Sequence, residues 1–250
     1  MWQEASANPI KIIHGNFTEL YSLFVTSNGN IYIGDGDENN GRVQKWMEET
    51  NNFVTVMNVN SSCYGLFVDI NDTLYCSMHH HYQVVKRSLN DSVMSSNRVA
   101  AGKGIYGSAS NDLNGPRGIF VDVNLDLYVA DYGNYRVQLF QSGESQGITV
   151  AGSGSLNPTI ILFRPSEVML DAEKYLFIVD SGNSRIIGSG LNGFRCLVGC
   201  YGRGSRSNQL YEPLNFSFDH FGNIFVIDTD NHRIQKFVLM KDSSGKSKKN

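Results

Sequence analysis

Pro116-Arg-Gly-Ile-Phe-Val-Asp122 recurs as Pro165-Ser-Glu-Val-Met-Leu-Asp171 and Pro213-Leu-Asn-Phe-Ser-Phe-Asp219, each Asp six positions after its Pro. Two weaker copies share the frame: Cys63-Tyr-Gly-Leu-Phe-Val-Asp69 has Cys for Pro, and Leu20-Tyr-Ser-Leu-Phe-Val-Thr26 has lost both end residues. Eleven positions after each start a second apolar run opens, at Ile31, Leu74, Leu127, Leu176 and Ile224. The starts at 20, 63, 116, 165 and 213 give a mean interval of about 48 residues, a period that belongs to propeller blades rather than to helical solenoids or leucine-rich repeats.

Within each unit the apolar period is two, as in Leu127-Tyr-Val-Ala130 and Ile224-Phe-Val-Ile227, with turn residues such as Asn28-Gly29 between runs. That pattern, rich in β-branched and aromatic residues, predicts strands. A fainter fourth run closes four of the units, in Phe53–Met57, Arg98–Ala101, Ile148–Ala151 and Arg195–Val198. The reading is an all-β chain: a β-propeller of four-stranded antiparallel blades, with cores near 20–60, 63–102, 116–152, 165–200 and 213–238. It forms one domain over 1–240. The segment 10–15, Ile-Lys-Ile-Ile-His-Gly, resembles Ile148–Gly152 and is expected to close a five-bladed ring as an outer strand on the last blade; the alternative is part of a six-bladed ring. Residues 241–250, with Lys241, Lys246, Lys248 and Lys249, read as a flexible basic tail.

Composition agrees with a repeat-built β surface. The 250 residues include 25 Gly and 5 Pro, are 41% hydrophobic and 18% charged, and carry a net charge of −3. This chain can bury a core and has no overall field for gripping a polyanion. No stretch approaches the roughly 18 apolar residues of a membrane span, and the sequence as it begins at Met1 shows no export signal.

The second strand of each unit runs into a repeated turn: Asp131-Tyr-Gly-Asn134-Tyr-Arg136, Asp180-Ser-Gly-Asn183-Ser-Arg185 and Asp228-Thr-Asp-Asn231-His-Arg233, with Asp37, Asn40 and Arg42 in the first unit after a two-residue insertion. Asp at a turn start accepts backbone N–H groups, and Asn tolerates the left-handed conformation of a tight turn. The Arg reaches an acidic or carbonyl acceptor on its own turn or a neighbouring blade. A structural clip is therefore the expectation for Asp131, Asn134, Arg136, Asn183, Arg185, Asn231 and Arg233.

With these residues laid out, the chain resembles the NHL-repeat family, whose units run Pro-x-Gly-apolar-x-apolar-Asp, then a strand ending in Ala-Asp, then x-x-Asn-x-Arg-apolar. Asn114 to Phe140 is close to that pattern throughout, and the likeness extends from about residue 20 to 237. The resemblance implies a β-propeller and leaves activity open, because the family hosts scaffolds, extracellular modules, RNA readers and lyases. The second unit departs most. Met78, His81 and Gln83 stand where the clip residues should be, and a hairpin between its first two strands would set Cys63 almost opposite Cys76, so a disulfide is expected there. Cys196 and Cys200 form a second candidate pair.

The leading functional expectation is a non-enzymatic binding or scaffold module that presents its loop faces to a protein, peptide or glycan. The candidate face carries Asp37, Asn40, Arg42, His79, His80, His81, Tyr132, Asp180, Asp228 and His232. No catalytic residue, metal or cofactor is assigned; His79, His81 and His232 are the weak metal candidates, because imidazoles ligate zinc or copper. One alternative is a metal-dependent propeller lyase or hydrolase akin to the NHL-like amidating lyases. Another is the substrate- or RNA-reading propeller of a ubiquitin ligase, with its RING part elsewhere, although the faintly acidic turns disfavour nucleic acid. Five N-x-Ser/Thr acceptors, at Asn16, Asn60, Asn71, Asn90 and Asn215, are a mild excess over chance. Asn71 falls in a turn and looks usable, whereas Asn215 opens a central strand. With the suspected disulfides they favour a glycoprotein in an extracellular setting, alone or as part of a larger protein. A cytoplasmic setting follows if Met1 is the true start.

Overall fold

The alternating runs fold as antiparallel hairpins stacked into blades. A computed structural model describes residues 12–91, 96–155 and 160–238. Blade 1 holds β1 (Leu20–Val25), β2 (Ile31–Gly36), β3 (Gly41–Met47) and β4 (Asn52–Val59). Blade 2 holds β5 (Cys63–Val68), β6 (Thr73–Met78), β7 (Gln83–Ser88) and β8 (Arg98–Gly102). Blade 3 is β9 (Pro116–Val121), β10 (Leu127–Asp131), β11 (Arg136–Phe140) and β12 (Gly147–Gly152), and blade 4 is β13 (Pro165–Leu170), β14 (Leu176–Asp180), β15 (Arg185–Gly190) and β16 (Gly193–Val198). Blade 5 has three strands among the described residues, β17 (Pro213–Phe218), β18 (Ile224–Asp228) and β19 (Arg233–Phe237). Every sheet pairs its strands in sequence order, so the molecule is a five-bladed β-propeller.

The first strands β1, β5, β9, β13 and β17 pack side by side around the axis in that order. Hydroxyls stitch them together. Ser22 Oγ donates to the Cys63 carbonyl at 2.6 Å and Ser166 Oγ to the Leu214 carbonyl at 2.7 Å, while Ser77 Oγ donates to the Arg117 carbonyl. Close approach demands small residues here: a Cβ on Gly65 would stand 2.5 Å from the Arg117 oxygen. At the far end of the first strands of blades 2 to 5, the Asp of the repeat caps its hairpin. Asp122 Oδ1, for example, accepts the backbone N–H groups of Asn124 at 2.8 Å and Asp126 at 3.1 Å.

Apolar side chains fill the spaces between blades in four clusters, one at each junction from blade 1/2 to blade 4/5. Among the described residues there is no fifth cluster between blades 5 and 1. Leu23 of β1 is 64% exposed, whereas its counterparts Leu66, Ile119, Val168 and Phe216 are 7% or less. Ile234 of β19 is 72% exposed, whereas Val43, Val84, Val137 and Ile186 are all at 0%. Among the described residues the outer faces of the first and last blades thus have no apolar cover. Of the segment expected to close the ring, residues 10 and 11 lie outside the described residues and 12–15 are not in a strand. Its continuation is held on blade 1 instead: Phe17 packs edge-on against Phe53 at 5.0 Å, and Arg42 Nη2 donates to the Asn16 carbonyl at 3.2 Å. The tail at 241–250 also lies outside the described residues.

Candidate binding face

The turn between second and third strands is a single 3₁₀ turn in blades 2 to 5, followed by one left-handed residue: Tyr82, Tyr135, Ser184 or His232. In blades 3 to 5 the clip expected from sequence forms around a buried carboxylate. Asp131 Oδ1 accepts the Asn114 N–H at 2.7 Å, and its Oδ2 accepts Asn134 Nδ2 at 2.8 Å and Arg136 Nε at 2.7 Å. The rest of the Arg136 guanidinium donates to the carbonyls of Ser108, Ala109 and Asp112. Asp180 with Asn183 and Arg185, and Asp228 with Asn231 and Arg233, repeat the arrangement. The clip therefore ties each turn to the connection entering its own blade, and charge-assisted bonds to an otherwise buried carboxylate make it strong.

Two expectations for this face change. In blade 1 the clip acid is Asp35, two residues upstream of Asp37. Arg42 Nε lies 2.8 Å from Asp35 Oδ2, and Gln44 adds a bond at 3.0 Å. The two-residue insertion lengthens the turn, and Asp37 caps that loop by accepting the N–H groups of Asn39 and Asn40, both at 2.8 Å. Asp180 and Asp228 are fully buried and committed to their clips, which removes them from a ligand-facing set. Blade 2 lacks the clip and carries the Cys63–Cys76 disulfide across β5 and β6; Cys196 and Cys200 form the second disulfide.

Around the axis on this face, side chains from three repeat positions meet: the residue before each first strand, the residue after its opening position, and the first residue of each turn. Across blades 1 to 4 they make an aromatic and cationic band. Tyr21 and Tyr64 lie 4.8 Å apart, and His79 stacks on Tyr64 at 4.6 Å. The Arg117 guanidinium sits 3.8 Å over the Tyr132 ring and 5.7 Å from that of Tyr64. Arg164 lies 5.9 Å from Tyr132. Burial, with the Arg117 charge adding to it, pulls His79 down to about 4, so its ring is neutral near pH 7. Burial also pushes the Arg117 guanidinium below its usual range.

A family comparison matches the NHL repeat over residues 113–140, the span that holds β9, its turn and β11. The chain is a β-propeller that carries an NHL repeat in its third blade. No curated protein matches the sequence. Among solved structures, an auxiliary nutrient binding protein from Bacteroides ovatus is 15% identical with a TM-score of 0.68, over 90% of this propeller and 60% of that chain. A chain of a nidogen/laminin complex is 16% identical with a TM-score of 0.61, over 87% and 79%. A virginiamycin B lyase from Staphylococcus aureus is 10% identical with a TM-score of 0.57, over 91% and 72%. At these identities the likeness is one of fold, and this propeller spans about 60% of the length of the Bacteroides nutrient-binding proteins.

Within this propeller, His79, His80 and Tyr132 are the sequence-identified residues that gather on the band; Tyr64 Oη lies 3.3 Å from His80 Nε2. His232 stands exposed on blade 5. Among the described residues no three His, Cys, Asp or Glu side chains are grouped to hold a metal, and no helix is long and apolar enough to cross a membrane. Sequence reasoning missed Tyr21, Tyr64, Arg117 and Arg164. For the first three the one signal was departure from the repeat: Tyr, Tyr and Arg at a position where blades 4 and 5 hold Ser166 and Leu214. It also missed the cavity at the opposite mouth, about 390 Å³, whose wall is an arc of Phe24, Phe67 and Phe120 with neighbouring centroids 5.0 Å apart. Deep in the channel, Glu167 accepts Asn215 Nδ2 at 2.6 Å and the Val168 N–H at 3.0 Å, and burial pushes its carboxyl up to about 8.

Proposed function

We propose that this propeller is a non-enzymatic binding module that presents the aromatic and arginine band to a protein, peptide or glycan in an extracellular setting. The observation that carries this reading is the band itself: Tyr21, Tyr64, Tyr132, Arg117 and Arg164 meet at one mouth, on a scaffold held by buried clips. Tyrosine and arginine are the residue types on which binding energy concentrates at recognition surfaces, and rigid placement lowers the entropy lost on binding. Two disulfides in a chain of this size support an oxidising compartment. The nidogen/laminin structure shows a related fold within an assembly of proteins, and the Bacteroides proteins are named for nutrient binding. Both uses are compatible with a loop face that recognises rather than reacts.

The test is a screen of peptide and glycan arrays with the intact chain and with Tyr132→Ala. The expected result is at least one ligand whose affinity falls tenfold or more in the variant. Ligands that bind both proteins equally would move the site off this mouth and overturn the reading.

A further inference from the structure

Arg42, Arg136, Arg185 and Arg233 each have a carboxylate within 2.9 Å, consistent with the structural role of the clip. Arg117 and Arg164 differ: among the described residues neither has an acidic partner within ion-pair distance, yet both converge on the Tyr132 ring. Arg117 Nε is buried and has no hydrogen-bond partner. Two guanidinium groups brought to one ring repel each other, and an unpaired buried donor costs about 1–3 kcal/mol. Glu212 is an acid whose charge reaches Arg117, but its carboxylate accepts from Ser181 Oγ at 3.4 Å. Contacts with the Tyr132 and Phe163 rings offset part of this cost but supply no negative charge; a bound oxyanion would supply one.

The shape of the site narrows the ligand. A guanidinium fork matches the planar spacing of carboxylate and sulfate oxygens. Beside it, the rings of Tyr21, Tyr64 and Tyr132 form an apolar wall with few polar groups, the mixture that seats a small ring-shaped ligand. Glu19 and Glu38 stand near Tyr64 on the blade 1 side, so the positive region does not extend across the mouth to blade 1. An extended polyanion would meet repulsion across the mouth, whereas a single oxyanion would not.

We propose that the mouth binds an acidic sugar, with Arg117 and Arg164 gripping its carboxylate or sulfate and the tyrosines packing against its ring. This rests on the binding-module reading and names its ligand class. The test uses ligand-observed NMR and calorimetry on the full chain with glucuronic acid, N-acetylglucosamine 6-sulfate and neutral N-acetylglucosamine as probes. One or both acidic sugars should bind, the neutral sugar at least tenfold more weakly, and comparison of the two acidic probes tells carboxylate from sulfate. Arg164→Gln, an exposed change that should leave the melting temperature unaltered, should weaken acidic-sugar binding fivefold or more. Arg117→Lys keeps the charge but loses the fork, and should weaken it similarly. Equal binding of the neutral sugar, no binding of either acid at 10 mM, preference for an oligonucleotide, or indifference to both arginine variants would each overturn the proposal. The broader reading is judged separately, by whether array ligands lose affinity in Tyr132→Ala.

Discussion

Asp131 is fully buried and shared among the Asn114 N–H, Asn134 and Arg136. Its removal leaves Arg136 facing three carbonyls with no counter-charge, and breaking a buried pair by deleting one partner costs about 3–5 kcal/mol. Asp131→Ala should therefore lower unfolding stability by about that amount in urea titrations. Asp37→Ala, at an exposed cap, should cost no more than about 1 kcal/mol. The two aspartates look alike in sequence and are told apart only by burial. Glu167 gives a second prediction. Its folded carboxyl titrates near 8 against an ordinary 4.5, so the folded state holds the proton more tightly than the unfolded one. Stability is then fullest below about pH 4.5 on this group's account and declines as pH rises toward 8. Glu167→Gln should flatten that decline, measured as melting temperature between pH 5 and 8.5; an unchanged slope would assign it to other groups.

At the scale of the element, blade 2 shows one device standing where another is missing. Met78 occupies the position of the clip aspartate and is buried in the apolar cluster, while the disulfide joins β5 to β6. Closing a loop of about 13 residues removes unfolded-state entropy worth about 3 kcal/mol. A Cys63→Ala/Cys76→Ala double variant should lose about that much stability, and protection from hydrogen exchange should fall first in β5–β8. The hairpins and clips were legible in sequence because each is a local pattern: a period of two, a turn, and an Asp-x-x-Asn-x-Arg spacing that acts within its own blade. The blade 1 clip was misread because an insertion displaced the pattern, and which of Asp35 and Asp37 turns inward depends on the backbone path of β2 and β3. Arg117 and Arg164 were invisible for a related reason. They lie 47 residues apart in different repeat positions, and only the packing of β9 against β13 sets them over one tyrosine.

Among the described residues the molecule has four filled junctions and one bare one. Leu23 and Ile234 belong to residue positions that are buried in the neighbouring junctions, so their exposure is a property of the assembly rather than of the residues. Leu23→Ala and Ile234→Ala should each cost under about 1 kcal/mol in this chain, whereas Ile186→Ala, at the same repeat position as Ile234, should cost about 2–5 kcal/mol. Binding of an apolar dye should fall in the Leu23→Ser/Ile234→Ser double variant, since contiguous exposed apolar faces are sites of association. A large stability loss at Leu23 would mean that the faces are covered in solution.

The sequence by itself determined the strand order, the period, five repeat units and the clip residues of blades 3 to 5, because those depend on contacts a few residues apart. Tertiary structure alone decided which aspartates are buried and, among the described residues, which arginines converge without an acidic partner and that no apolar cluster joins blades 1 and 5. Those outcomes depend on how successive sheets rotate about a common axis, a quantity summed over the whole chain and written in no single repeat.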